Sequence, residues 1–157
     1  MSIPNDVKCL MSILENNGFS VYVVCGCVRD TILGRPVHDW DICTSAKPDE
    51  IKNTFKNFKV IETGLKHGTL TILLNSVPYE ITTYRVDGKY SDGRRPDDVR
   101  FTDNIIEDLQ RRDFTMNAIA YNPNIGIIDP FNGIKDISSP QKTPNTALSP
   151  QIREETR

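Results

Sequence analysis

No stretch of about 18 consecutive apolar residues occurs in this 157-residue chain, so a membrane-spanning helix is not expected. The opening residues, Met1-Ser2-Ile3-Pro4-Asn5-Asp6, lack both the basic segment and the apolar segment of a secretory signal. A cytoplasmic location is the default expectation. The chain has two histidines and four cysteines, and no second Cys/His pair at ligand spacing accompanies Cys25 and Cys27. A zinc module built on those two is therefore a minor alternative. Disulfides are equally unexpected, because the chain is not a small cysteine-dense scaffold and Cys25, Cys27 and Cys43 lie in apolar runs; buried free thiols are expected. The charge is close to balanced, at −2, which argues against a nucleic-acid surface spread over the whole chain. A local basic track is still possible. Arg94-Arg95 and Arg111-Arg112 are the paired basic residues.

What is present is the composition of a soluble domain with its own core, 38% apolar and 25% charged. Apolar residues at Val7, Leu10, Met11 and Leu14 predict a helix over 7–14, stopped by Asn16-Asn17-Gly18. Residues 21–24 predict a short strand that Gly26 ends, followed by a helix over 28–33 closed by Gly34. Alternation over 38–44 predicts a strand with Asp39, Asp41 and Cys43 on one face and Trp40 and Ile42 on the other. Pro48-Asp49-Glu50 opens a further helix. Strands are expected at 59–62, 69–74 and 79–84, with Asn75-Ser76 turning between the last two. Residues 86–99 predict a mobile loop, since seven of these fourteen are charged and Gly88, Gly93 and Pro96 interrupt them. Helices are expected at 104–111 and 114–120, a strand at 126–129 and a turn at 130–133. The interleaving gives an α/β class with a mixed sheet flanked by helices. One domain is expected over residues 1–137, and a disordered polar tail over 138–157.

The segment 24–44 carries the chemistry. A strand ends at Gly26, a helix begins, and Arg29 sits in its first turn. Backbone amides at a helix start beside a small residue and an arginine suit a polyanion. Ten residues after Arg29 come Asp39 and Asp41. Two such carboxylates about 5 Å apart repel by roughly 3 kcal/mol at an effective dielectric near 20. A divalent cation relieves that repulsion, and oxygen ligands at few positions suit Mg²⁺. A phosphate cradle beside a carboxylate pair points to metal-assisted phosphoryl transfer. Each element has a plainer reading alone. Asp-x-Asp is commonly a solvated strand face, and Arg29 alone reads as a surface residue pairing with Asp30 or Asp49.

Taken together, Cys25-Gly26-Cys27-Val28-Arg29-Asp30 and His38-Asp39-Trp40-Asp41-Ile42 resemble the signature of the polymerase-β-like nucleotidyltransferases. The branch they resemble is that of tRNA nucleotidyltransferases (CCA-adding enzymes) and bacterial poly(A) polymerases. The resemblance continues, in order, through residues 62–69, 79–85 and the charged segment 87–98. It includes Arg111-Arg112-Asp113-Phe114-Thr115-Met116-Asn117-Ala118 and Asp129-Pro130-Phe131-Asn132-Gly133. It implies the head domain of that family, transferring nucleotides from CTP and ATP to the 3′ end of tRNA. By resemblance, Asp39 and Asp41 hold Mg²⁺, and Gly26 and Arg29 grip the triphosphate. Arg112 contacts the nucleotide and Asp113 accepts from its ribose hydroxyls. A plainer role for Arg111-Arg112 is to complement a helix C-terminus. Glu80 is a candidate supporting carboxylate or, alternatively, half of a cross-strand ion pair. His67 is expected to order the turn 64–68, and Trp40 to belong to the core.

Two departures from the family pattern stand out. Cys25 replaces the family's leading glycine, at a cost of about 1 kcal/mol or more if that position needs a positive φ. The family's base-selecting Glu-Asp-x-x-Arg lies in a helical neck after the head. Glu107-Asp108-Leu109-Gln110-Arg111 matches it by letter only, because it runs directly into the ribose motif. After residue 137 the polar tail stands where the neck is expected, as in a changed reading frame or a split gene. On this reading the chain binds nucleoside triphosphate with Mg²⁺ but selects bases poorly. Alternatives are a poly(A)-polymerase-type, CC-only or A-only activity, or a non-catalytic fragment that associates with a separately encoded helical body.

Overall fold

The computed structural model describes residues 2–87 and 99–138; most of the expected mobile loop, and all but the first residue of the expected tail, lie outside the described residues. Among the described residues a seven-stranded sheet has the order β3-β4-β5-β2-β1-β8-β9. Its strands are β1 Val21–Val24, β2 Asp41–Thr44, β3 Lys59–Gly64, β4 Thr69–Leu74, β5 Val77–Thr83, β8 Ala120–Asn122 and β9 Gly126–Ile128. Only β2 and β5 run parallel; the other pairs are antiparallel, so the sheet is mixed as expected. A separate two-stranded ribbon joins β6 Arg85–Asp87 to β7 Val99–Phe101.

One sheet face is apolar throughout. Helices α1 Asn5–Asn16, α2 Gly26–Ile32 and α3 Pro48–Thr54 cover it, bringing Val7, Leu10, Leu14, Val28, Ile51 and Phe55 onto Val21, Val23, Ile42, Leu70, Ile72 and Ile81. The α1 stripe is the one its spacing predicts, with Val7, Leu10, Met11 and Leu14 all buried. The other face is divided. Near β1 and β8 it is apolar (Tyr22, Val24, Cys43, Ala118 and Ala120), and α4 Ile105–Gln110 closes it with Leu109 beneath Tyr84. Toward β4 and β5 that face carries Thr69, Thr71, Glu80 and Thr82 instead. It is the polar half that meets the carboxylates.

Asn75 and Ser76 both take positive φ, 54° and 65°, the tight hairpin turn expected between β4 and β5. Three expectations need correction. The strand expected over 38–44 begins only at Asp41, where β1 ends with Val24 paired to Asp41, so residues 38–40 have no partner on the β1 side. The helix expected over 114–120 is a single 3₁₀ turn, Thr115–Asn117, followed by β8. There Ala120 pairs with Val24, and the Ile119 carbonyl accepts from the Cys25 amide at 3.3 Å, so the growing sheet takes residues that local propensity gives to a helix. Residues 86, 87 and 99, expected in the loop, form the ends of the ribbon. Helix α5 Gly133–Ser138 follows the turn expected at 130–133. Asp129 fastens its start by accepting from the amides of Gly133 at 2.7 Å and Ile134 at 3.0 Å.

Candidate active site

The end of β1 brings the two halves of the expected site together. Val24 is paired with Asp41, and the next residues, Cys25 and Gly26, turn directly into α2. Cradle and carboxylate therefore sit on adjacent strands. Cys25 makes this turn with φ 69° and ψ −134°, a conformation that glycine takes freely and a β-carbon resists. At Gly26 an added β-carbon would come within 3.3 Å of Nη2 of Arg29, so glycine lets that guanidinium fold back over the turn. Arg29 donates to Asn117 Oδ1 at 2.7 Å and pairs with Asp30 at 3.1 Å. The surface partnership with Asp30 is real, yet Arg29 still lines a cavity of about 360 Å³. Its other walls are Cys25, Gly26, Arg111, Arg112, Asp113, Phe114 and Asn117.

Arg112 enters this cavity from the end of α4. Its Nη2 donates to Asp108 at 2.6 Å, and its Nη1 to the Cys25 sulfur. Burial opposes its charge, but Cys43, Cys25 and Asp108 more than offset that, and its pKa is held above the ordinary arginine value. Both Arg111 and Arg112 keep a buried Nε with no partner among the described residues. Three guanidinium groups around one cavity match a polyanionic ligand. Asp113 is exposed at the rim.

Asp39 and Asp41 border a second, larger cavity of about 880 Å³, together with His38, Trp40, Thr71, Tyr79 and Glu80 among others. Both aspartates are exposed. Desolvation raises the Asp41 pKa, Arg112 opposes the rise, and the Asp39 charge adds to it, so the two carboxylates feel one another. Glu80 stands level with Asp41 across the parallel β2–β5 pair and level with Thr71 across β4–β5. No lysine or arginine among the described residues pairs with Asp39, Asp41 or Glu80. Among the described residues no three His, Cys, Asp or Glu side chains converge as a complete ligand set. Two exposed, mutually repelling carboxylates with open space before them fit a hard cation that takes its remaining oxygens from substrate and water. The thiols do not suit zinc. Cys27 is buried with its proton on the Val24 carbonyl at 3.1 Å and its pKa pushed up to about 12, while Cys25 turns toward Arg112. Cys43 is buried as expected, whereas Cys9 is exposed. Trp40 packs against the main core as expected and also borders the carboxylate cavity. His67 ends the 3₁₀ turn Leu65–His67, and its carbonyl accepts from Arg85 at 3.1 Å.

Sequence reasoning missed Asn117, Phe114 and Asp108 as parts of this neighbourhood. The Asp108–Arg112 spacing of four on a helix was an available signal; burial of the pair was not.

The family model for the Poly A polymerase head domain matches residues 21–141. The chain belongs to this family. The head domain's relatives include a CCA-adding enzyme of Lactobacillus delbrueckii subsp. bulgaricus, 55% identical over 124 residues, covering 79% of this chain and 31% of that protein. A CCA-adding enzyme of Enterococcus faecalis is 45% identical over 141 residues, covering 88% and 34%. Among solved structures, the Bacillus stearothermophilus CCA-adding enzyme in complex with CTP superposes with a TM-score of 0.75 at 41% identity, over 87% of this chain and 32% of that one. The Thermotoga maritima CCA-adding enzyme complexed with tRNA gives 0.65 at 27%, over 86% and 32%. The mixed sheet with flanking helices is thus the head fold of these enzymes. The chain spans about a third of the length of the curated relatives it matches. No helix among the described residues is long and apolar enough to cross a membrane.

Proposed function

We propose that this head domain carries the nucleotidyl-transfer centre of a CCA-adding enzyme, acting on CTP and ATP and on the 3′ end of tRNA. The observation that carries the reading is the pairing of Val24 with Asp41, which sets an arginine-lined cavity one residue away from a carboxylate pair. In the reaction, a bond forms between the RNA 3′ oxygen and the α-phosphorus, and the bond to the leaving pyrophosphate breaks. Gly26, Arg29 and Arg112 bind and orient the triphosphate, and Asp113 accepts from the ribose hydroxyls. Asp39 and Asp41 would hold Mg²⁺, with Glu80 reinforcing the negative field. Mg²⁺ bound there would supply neutralisation of the triphosphate and a lowered pKa for the attacking hydroxyl.

Triphosphate and ribose are common to CTP and ATP, so the proposed contacts discriminate the bases weakly. Affinities for the two within about three-fold of each other are expected. Base choice and the grip on tRNA are proposed to need a helical body besides this head. A poly(A)-polymerase-type activity is the alternative, and it needs a further contact that prefers ATP.

Calorimetric titration of the purified chain with CTP and ATP, with and without Mg²⁺, tests the reading. Binding that depends on Mg²⁺ is expected, and its loss in the Asp39→Ala/Asp41→Ala double variant with the circular dichroism spectrum unchanged. Equal binding by that variant sinks the assignment of both aspartates.

A further inference from the structure

Asp108 is fully buried, and both of its oxygens are engaged. Oδ1 accepts from Arg112 at 2.6 Å. Oδ2 accepts from the Arg85 amide at 3.0 Å and lies 3.6 Å from Nη2 of Arg111. It does not line the arginine cavity, whereas both arginines that it holds do. A carboxylate is costly to bury unless paired, and two guanidinium groups here oppose one carboxylate. Because the two arginines leave the end of one short helix, their directions are otherwise set only by long, rotatable side chains. The Arg85 amide begins β6, so the same carboxylate also ties the cavity to the base of the ribbon.

We propose that Asp108 is a positioning residue for nucleotide binding, aiming Arg111 and Arg112 into the cavity and fixing them to the ribbon. This inference rests on the functional reading above. Asp108 acts through the arginines and meets no substrate atom itself. Asparagine at this position keeps the volume and an acceptor for the Arg85 amide, but it turns a donor toward Arg112.

The test is a double-mutant cycle in the purified chain, reading Mg²⁺-dependent CTP affinity by calorimetry and unfolding by urea. Asp108→Asn is expected to weaken CTP binding by about ten-fold in a folded chain. Arg112→Ala weakens it as well. In the Arg112→Ala background, adding Asp108→Asn is expected to cost markedly less affinity than it does in the native chain, the remainder being its hold on Arg111, while still lowering the urea midpoint. Losses in affinity that simply add overturn the proposal, since they describe a structural residue with no route through Arg112. Should Asp108→Asn fail to fold, Asp108→Glu keeps the charge and displaces the carboxylate by one methylene. Unchanged CTP affinity in that folded variant overturns the proposal, and a loss of about three-fold or more supports it. If the unsubstituted chain binds no triphosphate with Mg²⁺, the functional reading and this inference fall together; if it binds and the cycle is additive, only this inference falls.

Discussion

Replacing Cys25 by glycine and, separately, by alanine isolates what the β-carbon costs at the turn into α2. With φ at 69° and ψ at −134°, Cys25 occupies a region open to glycine and strained for other residues, at about 1–3 kcal/mol. Against this, glycine loses roughly 0.5–1 kcal/mol more backbone entropy on folding than alanine. Mid-range values leave Cys25→Gly about 1–2 kcal/mol more stable than Cys25→Ala, the reverse of their order in a helix interior. Both variants lose the sulfur that accepts from Arg112, so that contact cancels in the comparison. At roughly 2–4 °C per kcal/mol for a chain of this size, the two melting temperatures should differ by about 2–8 °C. Urea unfolding at neutral pH gives the free-energy difference directly. Against the native chain, Cys25→Gly trades relieved strain for a lost sulfur contact and should stay within about 1 kcal/mol. It also frees Nη1 of Arg112 and widens the cavity mouth, so CTP should bind about three-fold tighter or better. Equal stabilities for the glycine and alanine variants would refute a strained turn at Cys25.

Asp41 carries a pKa raised above its ordinary value, so its ionised form is the less favoured one in the folded state. Its stabilising contribution is present below the unfolded pKa and is lost as pH rises through the folded one. Asp41→Asn should therefore be more stable than the native chain at pH 7, by under about 1 kcal/mol because the carboxylate is exposed. Urea melts at pH 7 and pH 4 check this, and a gain that is no larger at pH 7 contradicts it. Gly133→Ala would set a β-carbon 2.1 Å from the Thr115 carbonyl oxygen, a backbone clash that side-chain motion cannot relieve. A loss of about 3 kcal/mol or more is expected, read as a lower midpoint in thermal circular dichroism; an unchanged midpoint means that α5 does not press on the 115–117 turn. Thiol titration with an aromatic disulfide should find Cys9 reactive in the native chain and Cys27 and Cys43 reactive only in denaturant. Rapid reaction of three or four thiols in the native state would contradict the buried positions of Cys27 and Cys43.

The candidate carboxylate pair and cradle could be singled out in the sequence because each is local: Gly26 and Arg29 sit three apart at a helix start, and Asp39 and Asp41 sit two apart beside a strand. Long apolar runs and helix stops likewise placed α1, β1 and β4 within a residue or two. What escaped was set by partners distant in sequence. Residues 38–40 alternate as a strand does, but β1 is four residues long and cannot pair with them. Residues 118–122 read Ala-Ile-Ala-Tyr-Asn, a sequence that accepts helix or strand, and the free edge of β1 decided between them. Asp108 shows the same limit in electrostatics. Spacing alone allows an exposed helical ion pair worth a few tenths of a kcal/mol with Arg112. In the fold Asp108 is sealed from water, and the chain segment at Arg85, 23 residues earlier, lays an amide on its carboxylate. Once sealed, the same pair becomes expensive to break and rigid in direction, the property an arginine needs if it is to meet a phosphate in one orientation. The candidate site side chains are therefore readable by type and spacing, while the partners that hold them are readable only from the folded chain.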